Sequence, residues 1–308
     1  MTICTTRAEV EQLVLEVGLD LAAVHTIVVE ALAEDLGGRG VLPPGVGAGV
    51  DVTSYATIDA EARAVGEFVI RKPGTLAGIA VAAYVIALVG GEVGDFALEI
   101  HISDGAVVAT GDVVMEVSGN ARALLTAERV ALNLLTLMSG VATATRAWAD
   151  ALGNSGTRVR DSRKTTPGLR MLQKYAVRVG GGVNHRMSLA DAALIKDNHV
   201  LAAGGVVRAF EAVRRTYPDI DVQVEVTTGQ QARDVVAAGA TDILLDNMPA
   251  VEMAAVVSEL KGRATFEASG GLTLTSAAAV AETGVDYVAV GAITHSAPIL
   301  DIALDLRA

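Results

Sequence analysis

One cysteine in 308 residues, Cys4, excludes an internal disulfide, so no covalent link beyond the backbone holds this chain together. With no histidine or metal-ligand spacing around it, Cys4 reads as a plain, unreactive thiol near an N-terminus expected to be mobile. Aromatic residues make up only 3%, too few for the stacking platforms of a nucleic-acid binder. Lys and Arg together number 24 against 36 Asp and Glu, a formal net charge of −12, where such a binder wants a broad basic surface. No Cys/His set has zinc spacing. The N-terminal stretch MTICTTRAEVEQ has no apolar signal core, and Thr6 with Glu9 has the spacing of a capping box that opens a helix. The one long uncharged run, PGTLAGIAVAAYVIALVGG from Pro73 to Gly91, is diluted by Ala and Gly; it reads as a buried helix rather than a membrane span. These absences leave a cytoplasmic globular protein with a small-molecule ligand and neither nucleic acid nor membrane as partner.

What the chain does have is positive charge in one place. Arg158, Arg160, Arg163, Lys164, Arg170, Lys174, Arg178, Arg186 and Lys196 are nine of its 24 basic residues, in a window holding only two acids, Asp161 and Asp191. A solvated face mixes signs, so a cluster of one sign predicts an anionic ligand. Arg170, Lys174 and Arg178 are spaced like the outer face of a helix and are expected to be peripheral.

The same region repeats one kind of unit. The apolar runs TRVRDSRK, AALIKDNH, DVQVEVTT, TDILLDNM, ATFEASGG and DYVAVGAI are separated by stretches with apolar residues three and four apart, such as GGVVRAFEAVRRTYPD. Such units predict parallel strands joined by crossover helices. Six strands are visible where a closed (β/α)8 barrel has eight, so an incomplete, six-stranded α/β barrel is expected over residues 136–308. In that architecture the C-terminal strand ends form the active face. Here they carry Arg163 and Lys164, then Lys196, Asp197 and Asn198, then Glu225, Asp246 and Asn247, Ser269-Gly270-Gly271, and Gly291. Residues 1–135, with two helical stretches (Ala8–Glu16 and Leu21–Leu36), a Gly/Pro-rich loop and short alternating runs, predict a smaller α+β domain. A C-terminal helix over 297–308 is expected to pack on it. Ala121 to Leu137 reads as a strong bridging helix.

Each strand end has a chemistry. The SGG turn of Ser269–Gly271 lets backbone N–H groups approach a phosphate ahead of a helix, with Gly291 as the partner loop. Arg163, Arg186 and Lys196 suit carboxylates, since guanidinium forks match them two oxygens at a time. Glu225 and Asp246 facing a phosphate-rich pocket predict a shared Mg²⁺, with ion pairing to the lysines as the alternative. His185, beside Arg186, is a candidate substrate contact; His25, His101, His199 and His295 carry no catalytic expectation.

In order, SRKTTPGLR, KYAVRVGGGVNHR, LIKDNHV, VEVTT, ILLDNM, EASGGL and DYVAVGAITHS resemble the quinolinate phosphoribosyltransferase family. The likeness extends over AEDLG, DVTS and TAERVALNLL in the first half. It implies an N-terminal α/β sandwich plus a six-stranded α/β barrel, and a homodimer or larger assembly with shared active sites. The substrates it implies are quinolinate and phosphoribosyl pyrophosphate, the products nicotinate mononucleotide, pyrophosphate and CO₂. By that resemblance Arg163, His185, Arg186 and Lys196 hold the two carboxylates, Ser162 lines their pocket, and Arg129 reaches the neighbouring subunit's site. Lys164 meets phosphoribosyl pyrophosphate, Glu225 and Asp246 its ribose and Mg²⁺, and Ser269, Gly270, Gly271, Gly291 and Ala292 the 5-phosphate. The catalytic set is then Lys164, Lys196, Glu225 and Asp246. One departure is the inserted GGRGVLPPGVGAGV, expected to be a surface excursion. The rivals are a same-fold protein acting on another small acid, an aldolase with Lys196 as Schiff-base lysine, and a non-catalytic phosphate-binding protein.

Overall fold

The computed structural model describes residues 1–38, 49–93 and 96–307; most of the inserted Gly/Pro-rich stretch lies outside them. The chain forms two compact units. The first gathers Met1–Thr143, Pro167–Gly180 and Ala297–Ala308, the second Ala144–Thr166 and Gly181–Ser296.

The first unit is built on an antiparallel five-stranded sheet. Its strands are β1 (Thr2–Cys4), β2 (Arg63–Ile70), β4 (Phe96–Ile100), β6 (Val113–Asn120) and β13 (Ile302–Arg307), in the order β1-β4-β6-β2-β13. A two-stranded ribbon pairs β3 (Gly74–Thr75) with β5 (Val107–Val108). Alternation in β4, FALEI, buries Phe96, Leu98 and Ile100, as one covered sheet face requires. The helix Ile79–Val93 packs against β4 and β6, with every residue from Ile79 to Leu88 buried. That accounts for its all-round apolar sequence without a membrane. Thr6 caps the helix Arg7–Glu16, with both halves of the capping box formed.

Four expectations are corrected here. The terminal stretch is strand β13, paired antiparallel to β2 from Ile302↔Ile70 to Arg307↔Val65, and not a helix. Its apolar residues Ile302, Leu304 and Leu306 recur every second position, the period of a strand. Cys4 is no mobile thiol: it pairs with Leu98 in the sheet and is 2% exposed. Lys174 does not lie on an outer face. In the helix Arg170–Val179 every residue from Leu172 to Val177 is buried, so Lys174 is enclosed with its neighbours. The boundary expected after residue 135 does not exist as a break. The helix Ala121–Leu152 runs through it, and the units divide within that helix. This helix is long and apolar enough to cross a membrane, but 67% of its apolar window is buried inside the protein.

The second unit contains the expected strands: β7 (Arg158–Arg160), β8 (Ala193–Ile195), β9 (Val222–Val226), β10 (Asp242–Asp246), β11 (Thr265–Ser269) and β12 (Tyr287–Ala289). All pairs are parallel, in the order β7-β12-β11-β10-β9-β8. The helices Val206–Thr216, Gly229–Ala237 and Ala250–Leu260 connect them. Val222, Val224 and Val226 of β9 are buried on the face that the helices Val206–Thr216 and Gly229–Ala237 cover. The register then places Gln223 and Glu225 of β9 level with Asp242 and Leu244 of β10, and Leu244 level with Glu267 of β11. The inner face of this sheet is polar.

Candidate active site

Alternation along the strands assembles the site. On the inner face, Leu194 leads to Lys196, Gln223 to Glu225, Leu244 to Asp246, Glu267 to Ser269, and Ala289 to Gly291, two residues apart in each strand. A cavity of about 500 Å³ opens there. It is lined by Ser162, Arg163, Lys164, His185, Arg186, Lys196, Glu225, Asp246, Ser269 and Gly291 of the expected set. Gly270 and Gly271 come next after the lining Ser269, and Ala292 after the lining Gly291. Arg129, in the first unit, is not among them; it is largely exposed, with a loose 3.7 Å pairing to Glu128.

The cationic side is held by one buried acid that sequence reasoning left without a role. Asp161 is 0% exposed; it accepts from the His185 backbone N–H at 2.9 Å and from Asn184 Nδ2 at 2.6 Å. Val183 bridges to Arg160 as a single parallel link. The segment carrying His185 and Arg186 is therefore stitched to the edge of β7. Arg186 Nη1 donates to the Ala192 carbonyl at 2.7 Å. Its pKa is pushed below the ordinary arginine value, first by removal from water and then by the like charge of Arg163. Arg163 Nε is buried and has no hydrogen-bond partner. Two crowded guanidiniums with an unmet donor are stable arrangements only where an anion completes them.

The phosphate side is shaped by close approach. Asn247, at φ 51° the one non-glycine with positive φ among the described residues, follows Asp246 and donates its backbone N–H to Ser269 O at 2.9 Å. A Cβ on Gly270 would fall 2.3 Å from Asn247 Oδ1, so only glycine lets the two turns interlock. A Cβ on Gly291 would lie 3.0 Å from Lys164 Cδ, and Thr294 Oγ1 donates to Lys164 O at 2.8 Å. The helix expected to follow SGG begins only as a single 3₁₀ turn, Leu274–Ser276, before the five-residue helix Ala277–Ala281. Backbone N–H groups, and not a long helix dipole, would then meet the anion.

Between these sides, Lys196 Nζ lies 3.0 Å from Glu225 Oε2, and Asn247 Nδ2 donates to Asp246 Oδ2 at 2.8 Å. Each carboxylate keeps its second oxygen for another partner. No group of three or more His, Cys, Asp or Glu converges into a metal cage among the described residues. Two carboxylates with open oxygens suit Mg²⁺, which keeps waters and takes the rest of its ligands from substrate phosphates.

A larger cavity of about 620 Å³ lies in the first unit, lined by Arg7, His25, Asp51, Tyr55 and Arg122 among others. Its charges are mixed and already engaged: Arg122 donates to the Ile58 and Tyr55 carbonyls, and Asp51 caps the helix Val52–Thr57. Size alone does not make it the reactive site.

Comparisons with known proteins agree with this geometry. Residues 51–139 match the profile of the quinolinate phosphoribosyl transferase N-terminal domain, and residues 141–305 that of its C-terminal domain. The chain is 50% identical over 261 residues to the nicotinate-nucleotide pyrophosphorylase [carboxylating] of Mycobacterium leprae, covering 84% of this chain and 92% of that one. A probable nicotinate-nucleotide pyrophosphorylase [carboxylating] from Bacillus subtilis is 40% identical over 257 residues, 83% of this chain and 88% of that one. The crystal structure of NadC from Streptococcus pyogenes superposes with a TM-score of 0.86 at 36% identity, covering 94% of this chain and 98% of that one.

Proposed function

The chain belongs to the quinolinate phosphoribosyltransferase family, and from that premise we propose how its second unit performs the family's reaction. The activity is a pentosyl transfer of de novo NAD biosynthesis. Phosphoribosyl passes from phosphoribosyl pyrophosphate to quinolinate with decarboxylation, giving nicotinate mononucleotide, pyrophosphate and CO₂. In our reading Arg163, His185, Arg186 and Lys196 clamp the two pyridine carboxylates, with Ser162 beside them. Lys164 meets the pyrophosphate. Ser269 and the backbone of Gly270, Gly271, Gly291 and Ala292 hold the 5-phosphate. Glu225 and Asp246 face the ribose and would hold Mg²⁺, which when bound supplies charge neutralisation for the departing pyrophosphate. With the ring so oriented, the pyridine nitrogen attacks the anomeric carbon as the bond to pyrophosphate breaks. The positive charge of the new pyridinium then stabilises the electron pair that stays at C2 when the 2-carboxylate departs as CO₂, and that pair takes up a proton. No covalent nucleophile is required; positioning and electrostatics carry the rate.

The observation that carries this reading is the pair of crowded arginines, Arg163 with an unmet buried donor and Arg186 destabilised by its neighbour. Both cations find their complement in a dicarboxylate. The test is Arg186→Ala and His185→Ala, each expected to raise KM for quinolinate at least ~10-fold, the cost of losing one charged hydrogen bond, with KM for phosphoribosyl pyrophosphate little changed. Equal effects on both substrates would reassign these residues. We also place Arg129 in a neighbouring subunit's site, in an assembly of at least two chains. Its support is an exposed guanidinium with only a loose intrachain partner. Arg129→Ala and Lys164→Ala should each be inactive alone. Their mixture, after subunit exchange, should regain about a quarter of wild-type sites, since about half of randomly paired dimers are mixed and one site in each is intact.

A further inference from the structure

The inner layer beneath the cavity holds a buried glutamine whose three contacts leave no freedom in its orientation. Gln223 is 3% exposed and sits one step below Glu225 on β9. Its Nε2 lies 3.1 Å from Glu267 Oε2 and 3.1 Å from Asp242 Oδ1, and its Oε1 2.8 Å from His185 Nε2. Glu267 is 1% exposed and paired with Arg160 Nη1 at 2.6 Å, so it is a carboxylate and can only accept. The amide nitrogen must therefore face Glu267, and the amide oxygen must face His185. An amide oxygen only accepts as well, so the proton between them belongs to His185 Nε2.

We propose that Gln223 is a positioning residue for the reaction, holding His185 by its Nε2–H edge and tying the imidazole to the Glu267 carboxylate. The inference rests on the reading of His185 as a quinolinate contact. Backbone and ring of His185 are then fixed independently, the N–H by Asp161 and the ring by Gln223. A purely structural layer at this depth would be filled by Leu or Val at no loss, since apolar replacement of a buried polar network is often neutral or stabilising. A fully satisfied amide here instead sets one ring orientation and one protonated nitrogen. The charged groups around His185 are Asp161, Arg160 and Arg163 from β7 and its loop, Arg186 beside it, Lys196 after β8 and Glu225 on β9. Asp242 and Asp246 on β10, Glu267 on β11, and Lys164 and Asp197 of the cavity lining stand near it too. Replacing the amide removes the partner of the ring's Nε2 and leaves these in place.

The experiment uses the full-length chain with Gln223→Leu and Gln223→Glu, measuring both KM values, kcat, and the ring tautomer of His185 by NMR of a ¹⁵N-histidine-labelled sample. In Gln223→Leu, KM for quinolinate should rise about tenfold, the scale of one hydrogen bond to a charged group, with KM for phosphoribosyl pyrophosphate unchanged and the preference for the Nε2–H tautomer lost. In Gln223→Glu, a carboxyl in the amide's place still accepts from Nε2–H, so that tautomer should be kept and KM for quinolinate should stay below that of Gln223→Leu. An unchanged tautomer preference in Gln223→Leu, or equal rises in both KM values in either variant, overturns the proposal; if the leucine variant does not fold, loss of the Nε2–H tautomer in Gln223→Glu overturns it. The underlying reading fails separately, if His185→Ala leaves KM for quinolinate untouched.

Discussion

The two units hold their polar side chains differently. In the first, Tyr84 and Asp104 are local ties. Tyr84, 1% exposed on the helix Ile79–Val93, accepts from Arg7 Nη2 at 3.2 Å and shares a hydrogen bond with His25 Nδ1 at 2.9 Å. Asp104 accepts the Gly78 and Ile79 N–H groups and the Tyr175 hydroxyl. Each serves as a local tie at the rim of an apolar core. In the second, Arg160, Glu267, Gln223, Asp242 and His185 form one connected layer across strands β7, β9, β10 and β11, with Arg160 stacked 3.7 Å from the Tyr287 ring centroid. An antiparallel sheet covered on one face can leave its polar residues to the other. The inner face of the second unit's sheet instead leads upward to the cavity, and its polar layer is the cavity's floor.

The sharpest test of that contrast is substrate choice. If the second unit's cations are arranged for two carboxylates, nicotinate, which lacks the 2-carboxylate, should be used ~10⁴-fold less well than quinolinate in kcat/KM, as sites built for a polar group reject analogues without it. Comparable values would mean the cluster serves another end. The next test is structural. Glu267→Leu strands Arg160 without its buried carboxylate and should cost about 3–5 kcal/mol in denaturant unfolding. A loss below about 1 kcal/mol would show the layer to be as loosely coupled as the first unit's ties.

A subtler expectation concerns pH. The Asp242 carboxyl is pushed above its ordinary value, chiefly by burial, so the unfolded chain ionises it first. Its ionisation penalises the native state progressively as pH rises from about 3.9, the unfolded value, through the higher folded pKa, and the penalty is absent below both. Asp242→Asn keeps an acceptor for Gln223 and should raise Tm at pH 7 while leaving it unchanged near pH 3. The smallest effect belongs to the first unit. Tyr84→Phe removes a hydroxyl with two partners, one of them partly exposed, and should cost about 1 kcal/mol. A loss of several would put a coupled network there too.

Much of the second unit was legible because parallel strands and their crossovers write themselves as local runs. DILLD and VQVEV announce strands, and the acids at their C-terminal ends, Asp246 and Glu225, announce the face that lines the cavity. Asp161 and Glu267 carried a signal that was visible and unread: a charged residue embedded in an apolar strand or in a basic cluster is buried only with a partner. Lys174 shows the converse. Its spacing from Arg170 and Arg178 is that of an exposed stripe, and no local pattern says that the middle of the helix, Leu172 to Val177, is enclosed. The terminal segment 297–308 failed through period: two-residue alternation over six residues is short, and only the free edge of β2, brought alongside by folding, selects strand over helix.

By itself, then, the sequence determined which polar residues stand at the strand ends and in what order they line the cavity, because strand period and strand ends are local properties of the chain. Tertiary structure alone decided which of the buried charges are joined. Gln223, Asp242 and Glu267 are separated by 19 and 25 positions in the chain and touch only through the parallel register of β9, β10 and β11. Hydrogen bonds of that kind depend on distances of tenths of an ångström across strands, which no periodicity along one strand can specify.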